Sequence, residues 1–465
     1  MTCLFIFRRD LRLVDNLGLL TACSNYENVL PIFIFTPEQV GDKNPYRSSN
    51  AIQFMIESLE ELDTDFQKKK SRLHFFMGEN LVVLKKIKAI LGDKLEAICC
   101  NRDYTPYAVK RDTEIEKWCE TQDIKFESVE DYLLGPIGSI KKSDGKPYTV
   151  FTPFKNTGFK MEVAKPDKKN LANFTSLKFN HELSIPEIKT KISFQKNEKI
   201  LCSGGRFFGK ELIKNLKNQN QYNTTRNSLS LETSHLSAYL KFGCISIREV
   251  YHKIKKLYGQ KNSLLDQLFW REFYFYIVHY FPQVLKGKNY NPKYDKLKWR
   301  VSDSNFKKWC RGETGYPVVD AGMRQLNETG YMHNRARLIT SNFLNRMLGM
   351  DWRLGEKYFA QMLTDYDPAV NNGNWQWIAS TGTDPKPYFQ RLFNPMLQSQ
   401  KFDSDALYIK KWLPELKDIP AKELHDWSKH YQKYNLEEIN YVEPIVDYKE
   451  ARKASVEMYR AVLSK

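Results

Sequence analysis

Three side chains suited to recognising a nucleobase fall on one face of a predicted helix. In the segment DQLFWREFY, Gln267, Trp270 and Tyr274 are spaced i, i+3 and i+7, which aligns them along that face. An indole and a phenol can stack on a base, and an amide can hydrogen-bond to its edge. A helix packed between two domains has the same pattern, so the segment alone favours neither interpretation.

A second segment, residues 365–377, reads DYDPAVNNGNWQW and crowds carboxylates, amides and indoles together. Aspartate and asparagine side chains at this density can satisfy the ring nitrogens and hydroxyls of a buried heterocyclic cofactor. Trp375 and Trp377 are two residues apart, so on a helix they cannot share a face. A loop followed by a capped helix does not explain the whole cluster, and we therefore expect a cofactor site here.

Groups that suit a phosphate come from three further segments. Residues 222–226 and the hydroxyl-rich TSHLS at 233–237 precede the helix-like AYLKFG, and hydroxyls at a helix N-terminus can cradle a phosphate. In GYMHNRARL, residues 330–338, Arg335 and Arg337 can contact the phosphates of a nucleic acid or of a cofactor. Each segment taken alone is also typical of an ordinary helix cap or a surface charge cluster.

The elements that must position these groups change character along the chain. Residues 1–130 alternate short apolar runs, among them CLFIFRR, VLPIFIF and LEAICCN, with helical patterns. This alternation predicts an α/β domain with a doubly wound, Rossmann-like parallel sheet. No G-x-G-x-x-G follows the first strand, so a conventional dinucleotide site is not expected at that turn. Residues 131–203 are predicted to be an interdomain connector, and the helical patterns of residues 204–465 predict an all-α domain.

Composition narrows the class of protein. The chain has 465 residues, of which 42% are hydrophobic, and a net charge of +17, which allows a sizeable core and favours a polyanionic partner. A solvated, lysine-rich surface would give the same charge. The eight cysteines include no C-x-x-C pair, so we expect free thiols in a reducing compartment and no metal site. Because the chain has no long apolar run and starts with a strand-like segment, we expect no membrane association and a cytoplasmic location, or a nuclear one in a eukaryote.

These segments resemble the cryptochrome/photolyase family over nearly the whole chain. The matching stretches are FRRDLRLVDN, YTVFTPFKN, TSHLSAYLKFG, LFWREFY, KWCRGETGYPVVDAGMRQL, MHNRAR, DWRLGEKYF and NNGNWQWIASTGTD. Their pattern is similar to class I photolyases, which repair cyclobutane pyrimidine dimers in DNA. The resemblance implies a monomeric carbon–carbon lyase with an N-terminal antenna domain and a C-terminal helical domain that binds FAD and damaged DNA. Photoexcited, reduced FAD would donate one electron to a dimer flipped out of the duplex, and the electron would return once the ring has opened.

The resemblance also implies roles for individual residues around the flavin. Asn371 would face the N5 edge of the flavin ring. Trp375, Trp352 and Trp309 would form a chain of tryptophans that photoreduces oxidised FAD from the surface. The remaining implied FAD contacts are Tyr222, Thr233, Ser234, His235, Leu236, Ser237, Asn334, Asp365, Tyr366 and Asp367.

On the DNA side, Trp270 and Trp377 would wall the pocket that receives the flipped dimer, and Gln267 would hydrogen-bond to it. A dimer is already poorly paired, so its extrusion costs less free energy than that of normal bases. The other implied DNA contacts are Arg226, Tyr274, Asn334, Arg335, Arg337 and Gln398.

Two positions in this pocket depart from the usual dimer photolyases, namely Gln267 and Leu338, which replaces their methionine. Gln267 stands where they carry a glutamate, and glutamine there is typical of (6-4) photolyases and animal cryptochromes. Against that, Asn334 and Leu338 replace the two histidines of the (6-4) enzymes, which leaves no imidazole acid for their proton transfer. We therefore expect dimer repair, with a (6-4) photolyase or a cryptochrome-like blue-light photoreceptor as the alternatives.

The antenna chromophore is less constrained. Folate-binding relatives present a carboxylate within the segment that reads NRDYTPYAVKRD in this chain, residues 101–112, and the matching position is Ala108. A deazaflavin, a second flavin or no antenna is therefore favoured over a folate.

Overall fold

The computed structural model of the protein describes residues 1–383 and 386–463. Asp384, the last residue of the NNGNWQWIASTGTD motif, and Lys465, the end of the predicted helical domain, lie outside this range. Within it the predicted class is confirmed, because a domain built on a parallel sheet is followed by a domain made of helices. No helix in the described part of the chain is long and apolar enough to cross a membrane.

Five parallel strands form the N-terminal sheet. They are β1 (Thr2–Phe7), β2 (Asn28–Phe35), β3 (His74–Met77), β4 (Leu95–Asn101) and β5 (Lys125–Val129). Their order is β3-β2-β1-β4-β5, and in the centre Cys3 lies opposite Val29 of β2 and Ala97 of β4. Every residue of β1 is buried, as expected for a parallel strand that helices cover on both faces.

The winding of the sheet reverses at β1, which has β2 on one side and β4 on the other. The crevice beyond the carboxyl ends of β1 and β4 is therefore the topological switch point, where open α/β sheets bind their ligands. Arg8 and Arg9 follow β1 directly, and Arg102 and Asp103 follow β4. Charged side chains thus gather at the edge of the sheet that is suited to a ligand.

Helices cover the sheet and build the rest of the chain. The sheet domain contains α1 (Leu17–Asn25), α2 (Pro37–Val40), α3 (Ser49–Gln67), α4 (Asn80–Leu91) and α5 (Pro106–Thr121). The predicted connector contains α6 (Phe151–Gly158) and α7 (Ile185–Lys191). The helical domain contains α8 (Arg206–Asn215), α9 (Tyr222–Thr225), α10 (Ser237–Lys241), α11 (Ile247–Tyr258), α12 (Ser263–Tyr280), α13 (Asp303–Arg311), α14 (Pro317–Thr329), α15 (Asn334–Asn342), α16 (Trp352–Met362), α17 (Pro368–Ile378), α18 (Pro395–Phe402), α19 (Leu407–Trp412), α20 (Ala421–His425), α21 (Trp427–His430) and α22 (Tyr448–Leu463).

The predicted connector, residues 131–203, packs against both domains. Phe174 forms an isolated bridge with Val29 of the sheet. In α6, Phe151 stacks on Trp270 of α12, with 3.6 Å between the ring centroids. The segment is therefore part of the packed structure and not a free linker.

A buried ionic cluster joins the two domains. Arg248 of α11 lies between Asp15 and Asp131: its Nε is 2.9 Å from Asp15 Oδ2, and its Nη2 is 2.7 Å from Asp131 Oδ1. Arg12 also pairs with Asp131, at 2.6 Å, and none of the four residues is more than 3% exposed. Burial raises the pKa of Asp131, but the two guanidinium groups outweigh this effect and hold that pKa below its ordinary value. The junction is thus fixed by charges that neutralise one another.

Candidate active site

The segment 365–377, predicted to hold a cofactor, folds as a turn followed by α17. Asp367 caps the helix, because its Oδ1 accepts hydrogen bonds from the backbone N–H groups of Ala369 at 2.9 Å and Val370 at 3.2 Å. The other carboxylate oxygen of Asp367 pairs with Arg9 of the sheet domain. Asp367 therefore anchors α17 to the sheet domain, and its carboxylate has partners within the protein.

Two glycines let α17 approach its neighbours closely. A Cβ at Gly373 would overlap the ring of Tyr274 in α12, and one at Gly355 in α16 would overlap the indole of Trp375. Tyr274 is consequently only 2% exposed, and its hydroxyl donates to Asn374 Oδ1 at 3.3 Å. The predicted contact of Tyr274 with DNA is contradicted, because α17 covers its ring.

Asp365 and Arg337 form the charged centre of the site. Arg337 Nη2 lies 2.9 Å from Asp365 Oδ2, and Arg337 Nε donates to the Met332 carbonyl at 2.8 Å. Three buried atoms here have no hydrogen-bond partner among the described residues, namely Asp365 Oδ1, Thr364 Oγ1 and His235 Nδ1. Such atoms are rare in native proteins and indicate a polar ligand that completes the site. Arg337, predicted to contact DNA, is turned towards this carboxylate.

The hydroxyl-rich segment 233–237 lies against the same centre. Thr233 Oγ1 is 3.1 Å from the hydroxyl of Tyr331, and the guanidinium of Arg337 lies 5.6 Å from the Tyr331 ring centroid. His235 has a φ of 49°, a left-handed conformation that costs a non-glycine residue free energy and that clusters at ligand sites. The structure thus brings together the segments 233–237, 331–337 and 365–367, which are distant in sequence.

Asn371, predicted to face the flavin N5, is held by its amide group. Its Nδ2 donates to the backbone carbonyl of Glu356 in α16 at 3.0 Å, and its Oδ1 accepts no hydrogen bond from the part of the chain described. Glu356 is 5% exposed, and burial raises its pKa to about 7, although the amide of Asn371 opposes the rise. Asn371 therefore presents a free acceptor beside a carboxyl group that titrates near neutrality.

The three tryptophans predicted to carry electrons are all buried. Trp309, Trp352 and Trp375 are 0%, 1% and 2% exposed. Trp309 and Trp375 meet edge to face with 6.3 Å between their centroids, and the ring of Phe359 lies against both. Trp352 donates from Nε1 to Asn289 Oδ1 at 3.0 Å. Trp309 is fully buried and so does not itself reach the surface, and the role of the three tryptophans in electron transfer stays a prediction.

Trp299 is a further tryptophan in this region, and it is partly exposed. The next residue, Arg300, forms a backbone bridge with Met350 and donates its N–H to the Gly349 carbonyl at 2.8 Å. This pairing places Trp299 beside the segment that leads into Trp352. Trp299 lies outside every matched motif, so the sequence carried no signal for it beyond its residue type.

Trp270 and Trp377 are partly exposed, as expected for the walls of a base pocket. Trp270 rests on Phe151 with an interplanar angle of 8°, which fixes one face of the indole. The guanidinium of Arg391, a residue outside the sequence motifs, covers the ring of Trp377 at 3.5 Å from the centroid. Gln267 is partly exposed and donates from Nε2 to a carbonyl of its own helix at 3.1 Å.

Two of the remaining predicted DNA contacts, Arg226 and Arg335, are cations that lie close together. Arg335 Nη2 donates to Asn227 Oδ1 at 2.7 Å, and because Asn227 follows Arg226 directly, the two cations share one patch. Asn334 is exposed at the start of α15. Gln398 lies in α18, and its Oε1 is buried without a partner in the described chain.

The other predicted flavin residues contribute in different ways. Leu236 is 4% exposed, so only its backbone can reach a ligand. Tyr366 stacks on Tyr46, with 6.2 Å between the ring centroids. Tyr222 begins α9, which packs against α12, and Ser237 is exposed at the start of α10.

Further unsatisfied polar atoms lie at the switch point of the sheet. Arg8 pairs with Asp112 at 2.8 Å, yet Nη2 of Arg8 and Nη2 of Arg111 are buried with no hydrogen-bond partner in the described residues. Ala108, at the position expected to bear a carboxylate in folate-binding relatives, is 1% exposed within α5. The crevice therefore supplies free cationic donors.

Comparison with known proteins agrees with this geometry. A family model described as the FAD binding domain of DNA photolyase matches residues 264–461, and one described as DNA photolyase matches residues 3–169. A protein of Escherichia coli named deoxyribodipyrimidine photo-lyase is 35% identical, with 99% of this chain and 98% of that protein aligned. A protein of Halobacterium salinarum with the same name is 33% identical, with 98% of each chain aligned.

Two solved structures share the fold over the whole chain. A photolyase from Sulfolobus tokodaii with two FAD molecules has a TM-score of 0.88 and 41% identity, covering 99% of this chain and 100% of the other. A class III photolyase from Agrobacterium tumefaciens has a TM-score of 0.90 and 30% identity, covering 100% and 98%. From the two family models, the full-length relatives and the shared fold, it follows that the chain belongs to the DNA photolyase family.

Proposed function

We propose that this protein is a deoxyribodipyrimidine photo-lyase that uses light to split cyclobutane pyrimidine dimers in DNA. The proposal rests above all on α17 and the turn before it. The helix carries the amide acceptor Asn371 and the buried Trp375. The turn carries Asp365, whose Oδ1 has no hydrogen-bond partner among the described residues. The relatives from Escherichia coli and Halobacterium salinarum carry this name. When bound, reduced FAD would supply the photoexcited electron that opens the cyclobutane ring and is recovered afterwards, so that the reaction is redox-neutral.

The chain's own residues would bind and orient the cofactor. Asp365 Oδ1 and Asn371 Oδ1 are acceptors for ring N–H groups, and Arg337 holds the carboxylate of Asp365 in place. The hydroxyl-rich segment 233–237 offers groups for the hydroxyls and phosphates of FAD. Asp367 acts indirectly, because its carboxylate caps α17 and binds Arg9.

The DNA would be bound by stacking and by charge. Trp270 and Trp377 would each stack on a flipped base, an interaction worth roughly 1–3 kcal/mol per base. Arg226 and Arg335 would contact phosphates, so we expect DNA affinity to fall as the salt concentration rises.

The pocket favours a dimer over a (6-4) lesion. The imidazole next to Asn334 is that of His333, which caps α15 by accepting a hydrogen bond at Nδ1 from the Arg335 N–H at 3.1 Å. Burial lowers the pKa of His333 to about 4, and the neighbouring arginines contribute to the decrease. At neutral pH His333 is therefore unprotonated and cannot act as the general acid that (6-4) repair needs.

A single-lesion assay tests this function. The protein is reduced, mixed with DNA carrying one defined lesion, and illuminated with blue light. We expect light-dependent restoration of a cyclobutane dimer and no restoration of a (6-4) lesion. The opposite result would show that Gln267 identifies the substrate, and the absence of any repair would favour a photoreceptor.

We further propose that Trp299 is the surface end of the chain of tryptophans. The Trp299→Phe variant is expected to photoreduce oxidised FAD at least about tenfold more slowly, because the hole on Trp352 is no longer passed to a partly exposed indole. Transient absorption after a flash measures this rate. Repair by chemically reduced protein is expected to be much less affected. Trp412→Phe, at another partly exposed tryptophan, is the matched control, and an equal slowing of photoreduction in both variants would contradict the assignment.

We also propose a second flavin, acting as an antenna, at the switch point of the sheet. The free donors of Arg8 and Arg111 support it, and the Sulfolobus tokodaii photolyase is described with two FAD molecules. Saturation with FAD should give two flavins per chain, and Arg111→Gln should lower this ratio towards one. A ratio of one for the unaltered protein would rule the second flavin out.

The domain limits of 1–130, 131–203 and 204–465 and the monomeric, cytoplasmic state belong to this proposal. The photolyase-family assignment supports them in general terms. Light scattering coupled to size-exclusion chromatography tests the monomer, and a mass near 54.8 kDa is expected.

A further inference from the structure

A cavity of about 930 Å³ lies between α22 and the segments that surround Trp299 and Gly349. Four cations line it, namely Lys296, Lys298, Arg300 and Arg346. The one carboxylate among the described lining residues is Glu457, so positive groups exceed negative ones by three. None of the described residues assigned to FAD or DNA lines this cavity. It is thus a separate cationic site on the helical domain.

Arg346 is 1% exposed and is held in a fixed position. Its Nη2 donates to the Tyr388 carbonyl at 2.6 Å and to Ser380 Oγ at 3.2 Å, and its guanidinium lies 3.8 Å from the ring centroid of Tyr459. Its Nε and Nη1 have no hydrogen-bond partner in the part of the chain that the structure describes. Burial lowers the pKa of Arg346, although nearby tyrosines raise it. A buried cation with free donors costs free energy unless an anion binds to it.

The backbone at Arg346 is irregular as well. Residues Phe343–Met347 form a π-helical turn that continues α15. Turns of this kind are rare and are frequent at functional sites. The turn contains Arg346 and Met347, and both residues line the cavity.

The opposite wall, formed by α22, has a different chemistry. Ser455 is 4% exposed, and its Oγ is buried without a partner in the described chain. Around it the lining is aliphatic, with Ala451, Ala454, Met458 and Val462. The cavity therefore combines a cationic wall and one free hydroxyl with an apolar surface.

We propose that this cavity binds an amphipathic organic phosphate, that is, a small molecule with one phosphate group and an apolar body. The phosphate would accept hydrogen bonds from the free donors of Arg346 and from Ser455, and the guanidinium suits it because it stays charged and offers several N–H groups. The apolar body would lie on Ala454 and Met458. A volume of about 930 Å³ falls within the range of small-molecule sites.

Titration calorimetry of the full-length, FAD-loaded protein with 2-naphthyl phosphate tests the proposal. We expect saturable binding of one molecule per chain. Inorganic phosphate and uncharged 2-naphthol should each bind at least about tenfold more weakly, because each lacks one half of the ligand. The absence of saturable binding would overturn the proposal, and so would equal affinities for the ester and inorganic phosphate.

Substitutions in the lining of the cavity test whether 2-naphthyl phosphate binds there. Ala454→Trp fills the apolar side and should weaken binding of 2-naphthyl phosphate at least about tenfold, and Ser455→Ala should weaken it by roughly twofold to tenfold. Lys256→Gln, at an exposed lysine of α11, is the matched control and should change nothing. Unfolding curves establish that each variant is folded, and Ser455→Ala remains as the test if Ala454→Trp does not fold. Unaltered affinity in a folded Ala454→Trp variant would place the ligand elsewhere.

A last experiment distinguishes a small organic phosphate from the phosphates of the DNA backbone as the ligand of the cavity. Undamaged duplex DNA should not displace 2-naphthyl phosphate, and Ala454→Trp should repair at the rate of the unaltered protein. Displacement by duplex DNA would assign the cavity to the DNA backbone and overturn the proposal. Because the titration is carried out in the dark, its result does not depend on the proposed repair activity.

Discussion

Arg248 and Arg346 are buried to nearly the same extent, 2% and 1% exposed, in two regions that treat a buried charge differently. At the domain junction Arg248 donates from Nε to Asp15, from Nη1 to the Asp131 carbonyl at 3.0 Å, and from Nη2 to Asp131 Oδ1. In the cavity beneath α22, two nitrogens of Arg346 have no partner within the described chain. Burial is therefore a poor guide to the role of a charge, whereas the state of its donors separates a structural arginine from one that awaits a ligand.

The largest effect is expected at Arg248, where every guanidinium nitrogen has a hydrogen-bond partner. Arg248→Met leaves Asp15 and Asp131 short of positive charge in the junction, and we expect the free energy of unfolding to fall by about 3–5 kcal/mol. Urea unfolding measures it. Arg346→Met is the matched variant and should cost clearly less, because no carboxylate loses its partner. Equal losses in the two variants would break the comparison.

Glu356 extends the comparison to a buried acid that has no ion-pair partner among the described residues. Its pKa is raised by burial to about 7, so the folded protein binds the proton more tightly than the unfolded chain, and stability falls as pH rises from about 4.5 to 7. Glu356→Gln removes this loss and should stabilise the protein by about 1–3 kcal/mol at pH 8 and by little at pH 4.5. Unfolding curves across this range, with the exposed Glu450→Gln as control, check it. A gain that does not depend on pH would show that ionisation of Glu356 is not its cause.

Asp365 combines both situations, a paired and an unpaired buried atom. One of its carboxylate oxygens is paired with Arg337, and the other has no partner in the described chain. If the free oxygen accepts from FAD, Asp365→Asn should weaken FAD binding by about tenfold or more. Flavin fluorescence during dilution measures the dissociation constant. The exposed Asp418→Asn is the control, and undiminished FAD affinity in Asp365→Asn would remove this residue from the flavin site.

The smallest effect on stability is expected at Gln267, which is partly exposed and belongs neither to the domain junction around Arg248 nor to the cavity beneath α22. Gln267→Glu should change the free energy of unfolding by less than about 0.5 kcal/mol. It should repair a cyclobutane dimer at least as fast as the unaltered protein, in the single-lesion assay. A marked loss of repair would count against the assignment of the lesion.

Local patterns predicted the sheet well. Runs such as CLFIFRR and LEAICCN form strands because β-branched and aromatic residues in short apolar runs pack between layers of helices, and the predicted alternation with helices produced the parallel order. The resemblance also implied that the segments 233–237 and 365–367 serve one cofactor, and the structure brings both segments to Arg337 and Tyr331. Their contacts with FAD stay a prediction.

What the sequence did not predict is the burial of individual side chains, because the spacing of residues along the chain does not determine it. The i, i+3, i+7 pattern placed Tyr274 on the face of Gln267 and Trp270, but α17 covers that end of the face at Gly373. Trp309 matched a motif, yet its full burial depends on Phe359 and Trp375, which come from other helices. The cavity beneath α22 could not be predicted at all, because its walls come from three distant parts of the chain.

The pairing of Arg9 with Asp367 has a consequence for the order in which the protein folds during its synthesis on the ribosome. The two residues are 358 positions apart. At synthesis rates of about 5–20 residues per second, roughly 20–70 s separate their translation. During that interval the sheet domain can already fold, but Arg9 still lacks the carboxylate that will cap α17. Anchoring of α17 to the sheet domain is therefore a late event, and until residue 367 has been made Asp103, which follows β4, is the carboxylate that pairs with Arg9.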